Sequence, residues 1–321
     1  MEQNEEGVFL IMNNCIIWGI GEDYDRIINQ IIFEVHKGNI MVEALVCRKQ
    51  DKYCDIKDGF PVVIKDELKK EEIDYVIIAS VAYFNQIKEE AMQIGFLSNQ
   101  IINGELFLMP LFDFPRYAQL LSNPVTILTN DCWGGIVYNR LGLPFTSPLI
   151  NTFIDLEDYS ELILNPLFYL NTELKMIKKG DLGKEIFPMG YLGDGNRRVQ
   201  IKFVHEVDFD EAKKRWDRRK QRINPNNLFV KMGFSAFTPQ KELYIDAFNK
   251  VQYNKVLFYT GDEQIKGAFK TGYFESINRS RNFVGTYRYD DFLRKQIELG
   301  LYYGFDLLKL LTGDEAYSRE R

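Results

Sequence analysis

Between residue 14 and about residue 108 the apolar positions of this chain run in two alternating rhythms. Residues 15–18 (Cys-Ile-Ile-Trp) form a short apolar run that stops at Gly19-Ile20-Gly21. Ile27, Ile28, Ile31, Ile32 and Val35 follow at helical spacing, and residues 40–46 make a second apolar run. A third short piece covers 59–64, with a helix expected over 66–71. Residues 74–80 (DYVIIAS) read as a strand buried on both faces. A helix across 85–95 and a strand at 100–102 complete the alternation. Such a pattern predicts a Rossmann-like doubly wound parallel sheet with right-handed crossovers, filling residues 1–108.

Residues 109–124 carry Pro110, Pro115 and Pro124 and read as a linker. Beyond it, residues 125–321 predict a larger α/β or α+β domain. It opens with a β-branched run at 125–128, a turn at Asn130-Asp131, and then Cys132-Trp133-Gly134-Gly135. Ile136, Val137 and Leu141 continue at helical spacing until Gly142 and Pro144 end the helix. Strand, sharp turn, cysteine, helix is how a thiol nucleophile is held at a helix N-terminus. There the free amides and the positive dipole end favour thiolate and can receive an oxyanion. The competing reading makes Cys132 a small buried hydrophobe.

Residues 198–204 (RVQIKFV) alternate like a half-buried strand and deliver His205 before an acidic turn. The chain has only two histidines; His36 ends a helix of the first unit, where a solvated role is expected. In a thiol mechanism Cys132 is the nucleophile and His205 the acid/base. Asn227 and Asp262 are candidates to orient the imidazole, and Asn130 or Asp131 would sit beside the oxyanion. Asp208 and Glu211 have capping-box spacing ahead of a helix whose apolar stripe is Phe209, Ala212, Trp216 and Ile223. Arg215, Arg219 and Arg222 on that helix are candidates, with Trp133, for binding an anionic substrate. The alternative is a solvated basic face balanced by neighbouring acids. Asp208-Phe209-Asp210 is an Asp-x-Asp, and capping accounts for it. In the tail, 283–287 predicts a strand and 290–311 an amphipathic helix.

Gly19 and Gly21 are a partial dinucleotide fingerprint. Tyr24 stands where a third glycine belongs, and Arg48 and Lys49 stand where an acid would hold a ribose. A structural turn is expected there and no cofactor, with a nucleotide or nucleotide-sugar at Gly19 and Gly21 as the alternative.

Composition narrows the classes. Net charge is −6, so no global field recruits nucleic acid or anionic lipid. The acidic N-terminus is no secretory signal, and no apolar run reaches the roughly 18 residues of a membrane span. Cys15, Cys47, Cys54 and Cys132 lack paired metal-ligand spacing, which suggests reduced thiols in a cytoplasm and no metal site.

Three stretches carry a family resemblance: TNDCWGGIVYNRLGLPFTSPLINTFI, FPMGYLGD and IKFVHEVDFDEAKKRWDRRKQRINPNNLFV. Residues 125–260 thereby resemble a bacterial family of exopolysaccharide or capsular polysaccharide biosynthesis proteins of unknown molecular function. A more distant likeness is to an uncharacterised family described as papain-like, with a comparable His followed by an Arg-Arg helix. The order of pieces in the first unit resembles small N-terminal modules on sugar-modifying enzymes of surface-polysaccharide pathways. The resemblance implies a role in cell-surface polysaccharide assembly, with sugar-phosphates, nucleotide-sugars or glycans and other enzymes of that pathway as partners. Within it, two functions remain open: a Cys132–His205 acyl- or group-transferase or hydrolase, and a non-enzymatic scaffold that binds nucleotide-sugar or glycan beside a glycosyltransferase.

Overall fold

A computed structural model describes residues 12–48, 54–68, 70–177, 187–195, 197–235, 238–260, 265, 268–270 and 306–313. Two compact units divide at Ser122/Asn123.

The first unit is a six-stranded sheet in the order β3-β4-β2-β1-β5-β6. Its strands are β1 (Asn13–Trp18), β2 (Ile40–Cys47), β3 (Ile56–Lys57), β4 (Phe60–Ile64), β5 (Tyr75–Ile78) and β6 (Ile101–Asn103). All pairings are parallel except β3–β4, a local antiparallel hairpin. Setting that hairpin strand aside, the order is the doubly wound one expected, with the winding reversing between β1 and β5. β1 and β5 read as unbroken apolar runs because both faces are covered: Ile16, Trp18, Val46, Val76 and Ile78 pack with Ala91, Phe96 and Ile101. Helix α1 (Glu22–His36) buries Ile27, Ile28 and Ile31 of the predicted stripe and leaves Ile32 and Val35 half-buried, with Tyr24 and Glu34 buried besides. Helix α2 (Phe84–Ile94) stops at Gly95, which takes the left-handed cap at φ 107°. The helix expected over 66–71 contracts to a single 3-10 turn, Lys65–Glu67, after which Leu68 is extended. So short a segment does not repay helix nucleation. The proline-bearing stretch 109–124 is not a bare linker: helix α3 (Phe114–Ser122) occupies it, burying Phe114, Tyr117, Leu120 and Leu121.

The second unit holds two sheets. Strands β7 (Thr126–Thr129), β11 (Leu228–Ser235), β12 (Asn254–Thr260) and β13 (Ala268–Lys270) form a parallel sheet in the order β13-β12-β11-β7. Strands β8 (Lys175–Met176), β9 (Met189–Asp194) and β10 (Arg197–Lys202) form an antiparallel one. The helices are α4 (Trp133–Arg140), α5 (Leu156–Leu164), α6 (Pro166–Asn171), α7 (Phe209–Lys220), α8 (Lys241–Lys250) and α9 (Leu307–Thr312). One core joins both sheets: Leu128, Val230, Met232 and Leu257 from the parallel sheet meet Leu192, Val199 and Ile201 from the antiparallel one, with Tyr159, Tyr169 and Trp216 between. Each such side chain contributes about 1.5–3 kcal/mol by leaving water. The Tyr159 hydroxyl lies 2.8 Å from both the Leu128 and Lys231 carbonyls, bracing β7 against β11. The predicted strand at 283–287 and residues 290–305 of the predicted helix at 290–311 lie outside the described residues; α9 begins after an extended Asp306, whose side chain caps it by accepting from the Lys309 amide.

Candidate active site

β7 ends at Thr129 and α4 begins at Trp133, so Asn130, Asp131 and Cys132 make the whole turn. Cys132 is the N-cap residue of α4 and is half-buried. Helix and strand come close because Gly134 carries no side chain. A Cβ there would lie 2.9 Å from Thr129 Cγ2 and 3.3 Å from Ile127 Cγ2. Trp133, expected to touch substrate, is fully buried, stacked on Phe229 and tilted against Phe258. Its role is corrected to core packing: position N1 of α4 faces the sheet, where a large apolar ring is favoured.

Asp131 is buried too. Its Oδ1 accepts hydrogen bonds from the Trp133 amide (3.0 Å) and the Thr129 hydroxyl (2.8 Å), while Oδ2 meets Lys231 Nζ at 2.5 Å. Burial pushes this carboxyl up, but the Lys231 charge and the hydrogen bonds from Lys231, Trp133 and Thr129 outweigh it, holding Asp131 below the usual carboxylate range. Lys231 is 2% exposed, and the bare Cα of Gly233 leaves room for it, since a Cβ there would lie 2.8 Å from Nζ. Asn130 bonds the Gly233 main chain in both directions, Nδ2 to the carbonyl (3.3 Å) and Oδ1 from the amide (3.2 Å). Asp131 has both carboxylate oxygens engaged, and Asn130 keeps one Nδ2 hydrogen beyond its bonds to Gly233. Both fasten the cysteine turn to β11.

His205 sits in the turn after β10, and its Nε2 lies 3.1 Å from Cys132 Sγ. The ring is exposed, so the pair is open to a substrate. Among the described residues Cys132 is its one hydrogen-bond partner. The adjoining Glu206, 9% exposed, pairs with Arg215 at 2.7 Å and so ties the histidine turn to α7. Asn227, expected to orient the imidazole, is at the wrong end of the sheet. It precedes β11, beside Thr126 at the amino end of β7, whereas Cys132 follows the carboxyl end. About 3.3 Å per residue separates the two ends. Its side chain donates to the Asn123 carbonyl. Asp262 lies outside the described residues.

Residues 147–154 bridge the two halves of the pair. The Ile154 amide donates to the Asn130 carbonyl (3.0 Å), two residues before Cys132. Phe153 and Lys202, three residues before His205, exchange both backbone bonds, at 2.8 and 2.9 Å. Arg219 donates from Nη1 to the Ile150 carbonyl (3.0 Å) and lies over the Phe145 ring. Being 8% exposed, it clamps this segment and does not present itself to an anion, which corrects the substrate role expected for it. The helix ends at Lys220, so its buried stripe is Ala212, Trp216 and Arg219. Arg215 is half-buried on Glu206, and Arg222 is exposed beyond the helix end. Asp208 caps α7 by accepting from the Glu211 amide at 2.8 Å, as its spacing predicts.

In the first unit Gly19 and Gly21 line a cavity of about 670 Å³ at the carboxyl ends of β1, β2 and β5. Trp18, Val46, Tyr83 and Ile87 give it apolar walls; Glu22, Arg48 and Ser80 supply polar groups. Gly19 is required there: φ is 111° and a Cβ would meet the Ala79 carbonyl oxygen at 2.7 Å.

Among the described residues no three His, Cys, Asp or Glu side chains converge as a metal site would need, and no helix is long and apolar enough to cross a membrane. Residues 103–297 match a domain of unknown function, DUF1919, and residues 11–102 match a C2185-like N-terminal domain. An uncharacterised protein of Haemophilus influenzae is 27% identical over 168 residues, covering 52% of this chain and 75% of that protein. A solved structure of aspartate semialdehyde dehydrogenase II from Vibrio cholerae aligns over 79% of this chain and 84% of its own at 10% identity. Its TM-score of 0.26 is too low to carry an argument.

Proposed function

This chain belongs to the DUF1919 family, and we propose that it is a thiol-dependent acyl- or related group-transferase or hydrolase. Cys132 is the nucleophile and His205 the acid/base. The observation that carries this reading is the 3.1 Å approach of Sγ to Nε2 at an exposed edge of the second unit. Two features add to it. Cys132 stands at the start of α4, whose first-turn amides have no carbonyl one turn back to bond. Both halves of the pair are also fastened, Cys132 through Asn130 and Asp131 and His205 through Glu206. In the reaction the imidazole takes the thiol proton and the thiolate attacks an acyl carbon. The imidazolium then protonates the leaving group.

The order Cys then His is what supports the distant papain-like likeness. Cell-surface polysaccharide assembly, in the cytoplasm, remains the proposed setting. It rests on the motif resemblance, and it sets the acceptors to screen: glycans, nucleotide-sugars and sugar-phosphates.

The test is alkylation of Cys132 by iodoacetamide at neutral pH, read by mass spectrometry. Wild type should label on the order of tenfold faster than His205→Ala. Equal rates would sink the pair.

A second reading attaches to the first unit. Its cavity at the reversal of strand order favours a nucleotide or nucleotide-sugar beside Gly19 and Gly21. In a scaffold this binding would be the whole function and Cys132 inert. Thermal-shift titration with UMP, a UDP-sugar and NAD addresses it directly. A shift that Gly21→Glu abolishes supports it, since a side chain there meets open space, and none at millimolar ligand refutes it.

A further inference from the structure

The two side chains expected to flank an oxyanion, Asn130 and Asp131, are both tied to β11. Another amide lies on the thiol's own side of α4. Gly135 follows Cys132 by three residues, so the two positions share a face of the helix with Cβ sites about 5–6 Å apart. A Cβ on Gly135 would lie 3.4 Å from Asn151 Oδ1. The Asn151 carboxamide therefore stands over the first turn of α4, one turn along from Cys132. A half-turn of its terminal amide brings Nδ2 to the same place.

Three further observations single it out. Asn151 is a non-glycine residue in the left-handed region, φ 60°. Such conformations persist where the surrounding structure dictates them, and they gather at functional sites. Its neighbours do dictate it: Thr152 Oγ1 donates to the Leu149 carbonyl, the Leu149 amide donates to Ser147 Oγ, Arg219 holds the Ile150 carbonyl, and Ile154 is bonded to Asn130. Finally, its own carboxamide is half-buried and has no hydrogen-bond partner among the described residues. An unengaged donor on an immobilised segment is what oxyanion stabilisation requires, because nothing reorganises when charge develops.

We infer that Asn151 is a further catalytic residue, whose side-chain amide, with the Gly134 and Gly135 amides of α4, binds the oxyanion formed when Cys132 attacks an acyl carbon. The inference rests on the thiol reading above. When the thiolate adds, a C–S bond forms and the carbonyl π pair moves onto oxygen, where Asn151 donates to it. Collapse of that pair expels the leaving group, which takes the proton from His205, and the acyl group remains as a thioester on Cys132. Water then attacks the thioester with His205 as base, passing through a second oxyanion in the same place; its collapse breaks the C–S bond, returns the proton from His205 to the Cys132 sulfur and releases the carboxylic acid.

Two reactions of the full-length protein separate this role from a structural one. Alkylation by iodoacetamide displaces iodide at a saturated carbon and makes no oxyanion; acylation by p-nitrophenyl acetate makes one. Asn151→Gly suits the left-handed backbone and keeps the fold, and Asn151→Asp keeps the shape while replacing the donor. Asn151→Gly should alkylate within about twofold of wild type, since the thiol and its histidine are untouched, whereas the added carboxylate of Asn151→Asp disfavours the thiolate and should slow alkylation as well. Both should be acylated about 10²–10³-fold more slowly. Acylation of Asn151→Gly at the wild-type rate overturns the inference. So does a wild type whose alkylation depends on His205 but which is never acylated. If wild type and His205→Ala alkylate alike, the pair itself fails and this role falls with it.

Discussion

Asp131 and Lys231 form a 2.5 Å ion pair in the interior, one residue from the thiol and a hundred residues apart in the chain. The two charges tolerate burial only together. Lys231→Met leaves a carboxylate with no counter-charge, and loss of one partner of such a pair costs about 3–5 kcal/mol. The expected result is a lowered midpoint of denaturant unfolding. Asp131→Asn combined with Lys231→Met should restore most of the loss, because Asn keeps an acceptor for the Trp133 amide and no charge is left unpaired. A double variant no more stable than the worse single one would refute the pairing.

The same pair gives stability a pH dependence. Asp131 is held below the usual carboxylate range. Its contribution is therefore complete above the unfolded value of about 3.9 and fades as pH falls through the lower folded value. Wild type should lose stability in that acid window. In the double variant Asp131→Asn with Lys231→Met, that part of the slope should vanish. Equal slopes below pH 4 in the two proteins would assign the acid sensitivity elsewhere.

Arg219 acts through the Ile150 carbonyl and the Phe145 ring. Lysine cannot reproduce a planar fork that donates and stacks at once. Arg219→Lys should cost about 1–3 kcal/mol in chemical denaturation, the range for leaving a buried polar group unpaired. Because Cys132 and His205 are held by other bonds, thiol alkylation should stay near wild type. An alkylation rate that collapses with this substitution would mean that Arg219 contributes to the pair directly.

Much of this was legible in the chain. The doubly wound first unit followed from the alternation of apolar runs, and the cysteine turn from Gly134-Gly135 after a β-branched strand. Cys132 and His205 could be named because each sits in the turn that follows an alternating or β-branched run. What periodicity could not supply was direction within a buried site. Trp133 and Arg219 looked like ligand contacts by residue type, yet both face inward because their helix positions do. Asn227 was placed near the cysteine by element order, but in a parallel sheet a residue before one strand and a residue after its neighbour lie at opposite ends. Lys231 leaves a signal in the chain, a single charge inside LFVKMGFS; a buried cation needs a partner, and Asp131 is that partner. Asn151 left none, since a left-handed φ shows only in the backbone.

Burial of the other thiols has a consequence for every experiment on this protein. Cys15 is fully buried, its thiol raised by that burial and by Asp74, and Cys47 is buried against the Val63 carbonyl. Cys54 is half-buried, like Cys132, but belongs to the other unit. The molecule thus carries its own calibration: the ratio of label on Cys132 to label on Cys54 measures activation independently of dose and protein concentration. The silence of Cys15 reports that the first unit was folded while it was read.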